Sequence, residues 1–188
     1  LDNGEWTGEI LQYDRHGTPL EVEGRWTLVR ADDGTPESVL ALNTDIRQRK
    51  ATEREIQRLA FYDPLTGLPN RMLLMDRIGQ ALTKAQRQRQ GGALLFIDLD
   101  NFKTLNDTLG HDKGDLLLQQ VAKRLNTCVR SVDTVARLGG DEFVVMIEEL
   151  SNDTEALARH ARGVGEKVLT VLSAPYALAG YQYRSTPS

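Results

Sequence analysis

The chain has 188 residues, enough for one domain or two small ones, and its 40% of hydrophobic residues is ordinary for a soluble globular protein. Its 23 basic and 27 acidic residues give a net charge of −4, which argues against nucleic-acid binding, because that function needs a basic surface. Cys128 is the only cysteine, which excludes an internal disulfide. Its helical spacing from Val121 and Leu125 predicts a buried structural thiol.

No apolar run approaches the ~18 residues that span a bilayer, and no signal peptide is visible. We therefore expect a cytoplasmic location and no membrane contact within this stretch of sequence. The first residue is Leu1 rather than methionine, which indicates a piece of a longer protein. A membrane anchor upstream of it stays open.

Residues 1–44 are predicted to form an antiparallel meander, because apolar and polar residues alternate from 20 to 28 and turn residues follow at 33–34. Trp6 and Trp26 are expected in its core rather than against a cofactor. Residues 45–62 are charged and lack glycine and proline, which predicts a helix. Its apolar stripe is sparse, so a solvated connector and a dimeric coiled coil both stay open.

An amphipathic helix is predicted over 71–90, with one shared apolar face formed by Leu74, Ile78, Leu82 and Ala85. The apolar run 93–97 then predicts a buried strand. Asp98 and Asp100 follow it, at the end of a strand where α/β folds place their sites. Only one of the two can face a common site if a helix begins at Asn101.

That helix would present free backbone N–H groups to a phosphate, and Lys103 lies in its first turn. A second helix is predicted over 114–129, with Asp115 near its start. Asp115 has two interpretations. It is a favourable partner of the helix dipole, or it accepts the two adjacent donors of a guanine base. A further helix over 154–171 and a hairpin over 174–184 complete the predicted elements.

The stretch 137–143, Arg-Leu-Gly-Gly-Asp-Glu-Phe, carries the strongest signal. Two β-prone runs meet at Gly139-Gly140, which predicts a tight hairpin, because such turns need φ > 0. Without side chains, these glycines also let a large ligand lie against the backbone. Alternation along a strand would send Asp141 and Glu142 to opposite faces, where they would have different roles. A solvent-exposed hairpin with two polar residues is the simpler interpretation.

A site that brings Asp98 beside Asp141 would pair two like charges. At ~4 Å and an effective dielectric constant near 20, their repulsion costs about 4 kcal/mol. A bound divalent cation removes this cost. Oxygen ligands with Lys103 nearby predict Mg²⁺ and a phosphate ester.

The chain resembles a GGDEF-domain diguanylate cyclase that follows the end of a PAS sensor domain, and the likeness covers about residues 60–188. Ordered motifs carry the resemblance: DPLTGLPNR at 63–71, FIDLDNFK at 96–103, NDTLGHDKGD at 106–115, RSVD at 130–133 and GGDEF at 139–143. It implies an α/β (α+β) fold: a palm-like GGDEF domain with a central mixed sheet flanked by helices.

The resemblance also implies a domain order. Residues 1–46 would be the C-terminal part of a PAS domain, residues 47–62 a helical linker, and residues 63–188 the GGDEF domain. Domains of this family normally continue past the position of Ser188 with a strand and a basic helix, so the activity of these 188 residues alone stays open.

The implied reaction joins two GTP molecules into cyclic di-GMP, with release of pyrophosphate, between the facing subunits of a homodimer. Asp98, the Leu99 carbonyl and Asp141 would hold Mg²⁺ or Mn²⁺. Asp141 or Glu142 would help to deprotonate the 3′-hydroxyl, and Lys103 would steady the triphosphate. Further implied substrate contacts are Asn106 and Asp115 on guanine, Phe102 and His111 near the nucleotide, and Gly139 and Gly140 beneath it. His111 is equally well explained as a structural histidine.

Arg130 and Asp133 match the inhibitory motif of the family, where cyclic di-GMP binds as product and inhibitor. A loop ion pair is the structural alternative. The upstream PAS segment would regulate the enzyme. The other functional classes are a non-catalytic receptor for cyclic di-GMP or GTP, and a PAS-driven dimerisation element with a passive cyclase half. The presence of Asp98, Lys103 and both signature acids favours the enzyme.

Overall fold

The computed structural model describes residues 4–188, and residues 1–3, where the predicted PAS segment begins, lie outside the described residues. The chain divides into two compact units, one ending at Arg58 and the other running from Leu59 to Ser188. The division falls within helix α1 (Arg47–Phe61). Among residues 4–188, no helix has the length and apolar character needed to cross a membrane.

The first unit contains a three-stranded antiparallel sheet in the order β1 (Glu5–Tyr13), β2 (Pro19–Arg30), β3 (Pro36–Asp45), which confirms the meander. Trp6 lies opposite Trp26, with ring centroids 4.7 Å apart. The two rings pack on each other but stay partly exposed on the sheet.

Helix α1 confirms the helix predicted over 45–62, and it buries none of its residues. Within the first unit, Lys50 lies 3.2 Å from Glu21 and Arg49 lies 3.5 Å from Glu23. Exposed ion pairs of this kind contribute at most about 1 kcal/mol each. Ile56 is 60% exposed. The connector and the coiled coil both stay predictions.

The second unit has a three-stranded sheet flanked by helices, in agreement with the predicted fold class. Its strand order is β4-β6-β5, and both pairings are antiparallel, so the sheet is not mixed within the described strands. The elements in chain order are α2 (Arg71–Gln88), β4 (Gly91–Ile97), α3 (Phe102–Leu109), α4 (His111–Cys128), β5 (Thr134–Gly139), β6 (Glu142–Leu150), α5 (Thr154–Leu172), β7 (Tyr176–Leu178) and β8 (Tyr181–Tyr183).

The central strand β6 supplies the core, and Phe143 to Ile147 are buried without interruption. On one face, Val145 belongs to a cluster with Leu117 and Val121 of α4. On the other face, Val144 packs with Leu74 of α2. Helix α4 confirms the helix predicted over 114–129, although it begins three residues earlier, at His111. Cys128 is 5% exposed at the end of α4, which confirms the buried thiol.

Strand β4 is not the fully buried strand that its apolar run predicted. Leu94 is 42% exposed and Phe96 is 70% exposed, because β4 lies at the sheet edge, where α2 leaves this face partly uncovered. Leu82 of α2 is 61% exposed, so it does not share the buried position of Leu74. An open apolar groove of about 360 Å³ lies here, with Leu82, Leu94 and Met146 in its lining.

The end of the chain lies beside the end of β4. Asp98 and Ser188 exchange both of their backbone hydrogen bonds at 3.0 Å, and the Asp100 N–H donates to the Thr186 carbonyl. The final hairpin is confirmed as β7 and β8, which turn at Ala179 and Gly180. Backbone hydrogen bonds to residues 186 and 188 therefore fix the backbone of residues 98–100.

Candidate active site

The turn between β5 and β6 has the geometry that its glycines predicted. Gly139 has φ +142° and Gly140 has φ +53°, values that residues with side chains rarely adopt. A Cβ atom at either position would meet nothing within 4 Å. The glycines are therefore required by the backbone of the turn and not by a close neighbour, and the space above them is open.

The sheet register brings an acid of β4 to this turn. Ile97 pairs with Phe143, so the next residues along the two strands, Asp98 and Glu142, lie opposite each other. Asp141 lies in the turn itself. The expected alternation of Asp141 and Glu142 therefore does not apply, because only Glu142 belongs to a strand.

The Asp98 carboxyl group is surrounded by other acidic side chains. Desolvation raises the pKa of its carboxyl group, and the charges of Asp141 and Glu142 raise that pKa further. Neighbouring negative charges make ionisation of Asp98 less favourable, and a bound cation would offset that repulsion. The three carboxyl groups thus form one electrostatic site at the end of β4.

The charge of Asp100 also raises the pKa of Asp98, less than those of Asp141 and Glu142, but the Asp100 carboxylate is bound elsewhere. Its carboxylate accepts hydrogen bonds from the Thr186 hydroxyl at 2.9 Å and from the Ser188 hydroxyl at 3.0 Å. The sequence left open which of Asp98 and Asp100 would face a common site. The structure selects Asp98, because the side chain of Asp100 is bound to the end of the chain.

The donor set fits Mg²⁺ only together with a phosphate ligand. Within residues 4–188, no three acidic, histidine or cysteine side chains are grouped so as to hold a metal by themselves. The Leu99 carbonyl accepts the Phe102 N–H at 3.2 Å, which leaves it one lone pair. Asp98, Asp141 and this carbonyl would leave about half of the octahedral coordination to water and substrate, which suits Mg²⁺.

Helix α3 supplies positive charge beside these acids. It begins at Phe102 after Asn101, whose φ of +61° is left-handed and whose side chain makes no capping hydrogen bond. Lys103 is exposed in the first turn. The uncapped helix end and the ammonium group suit a phosphate group.

A buried polar atom marks the junction of α3 and α4. The Asn106 Oδ1 atom is buried without a hydrogen-bond partner among the described residues. A Cβ atom at Gly114 would lie 2.0 Å from it, so only glycine permits this packing. An unpaired buried acceptor is costly, and a ligand donor would satisfy it. Asp115 is the exposed residue beside Gly114.

The other two predicted substrate contacts differ in burial. His111 is the exposed first residue of α4, which favours neither of its two interpretations. Phe102 is half-buried, and it packs against the main core. A Cβ atom at Gly114 would lie 3.3 Å from its ring, so Phe102 also helps to hold α3 against α4.

The predicted inhibitory residues form a bidentate ion pair. Arg130 donates to both carboxylate oxygens of Asp133, at 3.1 and 2.9 Å, and to the Glu148 carbonyl at 2.8 Å. Burial would raise the pKa of Asp133, but hydrogen bonds from Arg130 and the Glu148 backbone hold it below its ordinary value. The side chain of Arg130 is 47% exposed, so it remains accessible to a ligand.

Sequence reasoning assigned no role to Arg137, which the structure places at the signature turn. Its guanidinium donates to both carboxylate oxygens of Asp63, at 2.9 and 3.1 Å. It also donates to the Gly140 carbonyl, at 3.0 and 2.6 Å. The sequence feature that could have indicated this role is the position of the arginine in a β-prone run, two residues before the first glycine.

A helix-flanked antiparallel sheet with an acidic glycine turn facing Asp98 defines the class of GGDEF domains. A sequence profile described as "Diguanylate cyclase, GGDEF domain" matches residues 60–184. The match covers more than half of the chain, which therefore belongs to the GGDEF-domain family.

Named relatives agree with this assignment. Over 135 residues the chain is 47% identical to the bifunctional diguanylate cyclase/cyclic di-GMP phosphodiesterase MucR of Pseudomonas aeruginosa, covering 72% of this chain and 19% of MucR. The solved GGDEF domain of TpbB from Pseudomonas aeruginosa superposes with a TM-score of 0.63 at 38% identity, covering 67% of this chain and 71% of that one.

The GGDEF domain of DgcB from Caulobacter crescentus, solved in complex with c-di-GMP, has a TM-score of 0.60 at 26% identity. That likeness covers 69% of this chain and 74% of the DgcB chain. The chain spans about a fifth of the length of the first curated relatives that it matches.

We predict that Asp98→Asn raises the denaturant midpoint of unfolding in EDTA at neutral pH. A carboxyl group with a raised folded-state pKa lowers stability above that pKa, and the amide removes this repulsion. The gain should vanish as the pH falls and Asp98 becomes protonated. Millimolar Mg²⁺ added together with GTP should raise the midpoint of the wild type more than that of the variant.

The matched control is Asp100→Asn, which should lower the midpoint, because weaker hydrogen bonds from Thr186 and Ser188 outweigh the relief of its smaller repulsion of Asp98. A lower midpoint for Asp98→Asn in EDTA would show that Asp98 is not repelled in the folded protein.

We also predict that Gly114→Ala lowers the free energy of unfolding by about 1–3 kcal/mol, because its Cβ atom must displace Asn106. Gly163→Ala is the control, since the same helical substitution in α5 meets nothing within 4 Å and should raise stability by about 0.4–1 kcal/mol. Denaturant unfolding measures both. Equal effects of the two substitutions would contradict the tight junction of α3 and α4.

Proposed function

We propose that the protein containing this chain is a diguanylate cyclase, which condenses two GTP molecules into cyclic di-GMP. The observation that carries the proposal is the position of Asp98 opposite the acidic turn, beside an open glycine backbone, in a domain of the GGDEF family. The cation that accompanies a bound polyphosphate would neutralise the acids that repel each other there.

In this proposal, Asp98, Asp141 and the Leu99 carbonyl hold Mg²⁺, which neutralises charge on the phosphate oxygens when it is bound. Lys103 and the first turn of α3 bind the triphosphate. Gly139 and Gly140 let the nucleotide lie against the turn. The protein thereby contributes positioning and charge neutralisation.

Base recognition would lie at the junction of α3 and α4. The Asp115 carboxylate accepts hydrogen bonds from the two adjacent donors of guanine. The Oδ1 atom of Asn106, which lacks a partner in the fold, accepts a further hydrogen bond from the base. Adenine lacks that pair of donors, so GTP is the preferred substrate in this proposal. His111 and Phe102 would lie near the bound nucleotide.

The reaction itself needs two copies of this site. The 3′-hydroxyl of one GTP attacks the α-phosphate of the other, and each attack releases one pyrophosphate. Asp141 or Glu142 accepts the hydroxyl proton. Because each subunit presents one GTP from an open surface, a homodimer with facing sites is the arrangement we propose.

The rest of the chain would regulate this reaction. We propose residues 1–46 as the end of a PAS domain, residues 47–62 as a helical linker and residues 63–188 as the GGDEF domain. The exposed guanidinium of Arg130, held by Asp133, would bind a product phosphate and slow the enzyme. Cyclic di-GMP in the DgcB structure supports the choice of product.

The alternative is a receptor that binds cyclic di-GMP or GTP without turnover. Its support is the ordered pair of Arg130 and Asp133, which already has the geometry to grip an anion. A receptor would not need the acidic turn. The retention of Asp98, Asp141, Glu142 and Lys103 therefore favours the enzyme.

The deciding measurement is GTP turnover by the natural full-length protein with Mg²⁺, with chromatographic detection of cyclic di-GMP. Asp141→Ala should lower kcat by about 10²–10³-fold or more, because it removes a proposed ligand of Mg²⁺ and a candidate acceptor of the hydroxyl proton. Asp32→Ala, at an exposed turn of the first unit, is the matched control and should leave turnover unchanged. Cyclic di-GMP binding without turnover would move the protein to the receptor class. The absence of both turnover and binding would overturn both proposals.

Product inhibition has its own test. Arg130→Ala should raise the concentration of cyclic di-GMP that halves the initial rate at least tenfold, with kcat retained. Arg58→Ala is the control, because it removes another exposed arginine that pairs with an acid three residues away, Glu55. An unchanged inhibition curve with a lower unfolding midpoint would assign Arg130 a structural role alone.

A further inference from the structure

Two short extended segments pair beside the acidic turn. Asp98 and Ser188 exchange two backbone hydrogen bonds, and the Asp100 N–H donates to the Thr186 carbonyl. We propose that Asp100 is a positioning residue for the candidate site, because its carboxylate locks this pairing through the hydroxyl groups of Thr186 and Ser188. We call these two side-chain contacts the Asp100 clamp. The metal-binding part of this inference rests on the proposed cyclase function.

The pairing places four polar side chains on one face. In antiparallel segments, residues directly opposite each other share a face, and so do residues two positions apart. Asp98 and Asp100 therefore share a face with Thr186 and Ser188. Leu99, between the two acids, belongs to the main core and is 1% exposed. The buried Leu99 side chain thus sets which face of the segment carries the acids.

The clamp uses both oxygens of the Asp100 carboxylate. The Thr186 hydroxyl donates to Oδ2 at 2.9 Å, and the Ser188 hydroxyl donates to Oδ1 at 3.0 Å. Hydrogen bonds to an ionised acceptor are stronger than those between neutral groups. Because the two donors lie two residues apart on the opposite segment, one side chain spans the whole pairing from 186 to 188.

Two proposed metal ligands lie on the clamped segment, the Asp98 carboxylate and the Leu99 carbonyl. The Leu99 carbonyl and the Asp100 N–H belong to one trans peptide plane, so they point in opposite directions. The hydrogen bond from the Asp100 N–H to Thr186 therefore also fixes the direction of the Leu99 carbonyl. Loosening of the pairing at Thr186 would let this peptide plane rotate and would separate the two ligands.

The clamped segment leads directly into helix α3. Asn101, the next residue, has a left-handed φ of +61° and makes no capping hydrogen bond with its side chain. Such a backbone is unfavourable for a residue with a side chain, so the contacts on either side of it must hold it in place. The clamp supplies those contacts on one side. Asp100 thereby helps to fix Lys103, in the first turn of α3, relative to Asp98.

Asp100 also binds a hydroxyl group that lies close to Asp98. Ser188 is the residue directly opposite Asp98 in the pairing, but its hydroxyl donates to Asp100. Asp98 accepts no hydrogen bond within the part of the chain that the structure describes. A carboxylate needs free lone pairs to bind a cation. The two acids thus divide their roles: Asp100 binds the protein, and Asp98 is left for a ligand.

Variants of the hydroxyl partners test the clamp without changing the charge beside Asp98. Thr186→Val removes one donor and nearly keeps the shape of the side chain, while Thr186→Ser keeps the donor. Ser188→Ala removes the other donor. Thr83→Val is the matched control, because the Thr83 hydroxyl also donates a hydrogen bond, to the Gly79 carbonyl of α2 at 3.0 Å.

The first test is hydrogen exchange of the metal-free, full-length protein, followed by mass spectrometry of the peptides that contain residues 98–100. In Thr186→Val these amides should exchange about tenfold faster than in the wild type, because the pairing opens more often. Thr186→Ser and Thr83→Val should exchange like the wild type. If Thr186→Val fails to fold, Ser188→Ala replaces it. Unchanged exchange in the variant that is used would overturn the clamp.

The second test is the dependence of GTP turnover on free Mg²⁺ in the full-length protein. Thr186→Val should raise the Mg²⁺ concentration that gives half of the maximal rate by about tenfold, because residues that orient metal ligands affect metal affinity to that extent. Thr186→Ser should restore the wild-type value. A loss of folded protein alone would lower the maximal rate and leave this concentration unchanged.

The two tests separate the clamp from the cyclase proposal. Faster exchange with an unchanged Mg²⁺ dependence would refute the positioning of the metal ligands by Asp100. A wild type without turnover would refute the cyclase proposal, while the exchange rates would still decide whether the clamp holds residues 98–100.

Discussion

Repulsion between carboxylates at the end of β4 is the interaction on which the candidate site depends. The pairing of Ile97 with Phe143 places Asp98 opposite Glu142 and beside the turn that carries Asp141. Desolvation raises the pKa of Asp98 most, and the charges of Asp141, Glu142 and Asp100 raise it further, so ionised Asp98 is disfavoured in the folded protein. A fold that gathers like charges without pairing them is suited to bind a cation with an anionic ligand, which is the chemistry of a phosphate ester.

Two other acidic side chains of the second unit have hydrogen-bond partners, which Asp98 does not share. Asp100 is bound to the end of the chain, and Asp133 is bound to Arg130 and to the backbone of β6. Asp98 is left facing other acids, and Asn106 Oδ1 is left without a partner within the described residues. The hydroxyl groups of Tyr176 and Ser185 are also buried without a partner, so it is the place of Asn106 beside Gly114 and Asp115 that makes it a candidate ligand contact.

Arg137 connects this site to the rest of the unit. The turn needs glycine for its left-handed backbone, and glycine gives it little rigidity of its own. The guanidinium supplies the missing restraint and takes its own orientation from Asp63.

The sequence by itself determined the local features: the glycine hairpin, the helices of the second unit and the buried Cys128, because each depends on neighbours in the chain. The ordered motifs also identified the family before the fold was known. Only the tertiary structure decided that Asp98 rather than Asp100 faces the turn, that Phe96 is exposed at the sheet edge, and that Arg137 joins Asp63 to Gly140. These features depend on strand order, register and contacts between distant residues, which spacing along the chain does not encode.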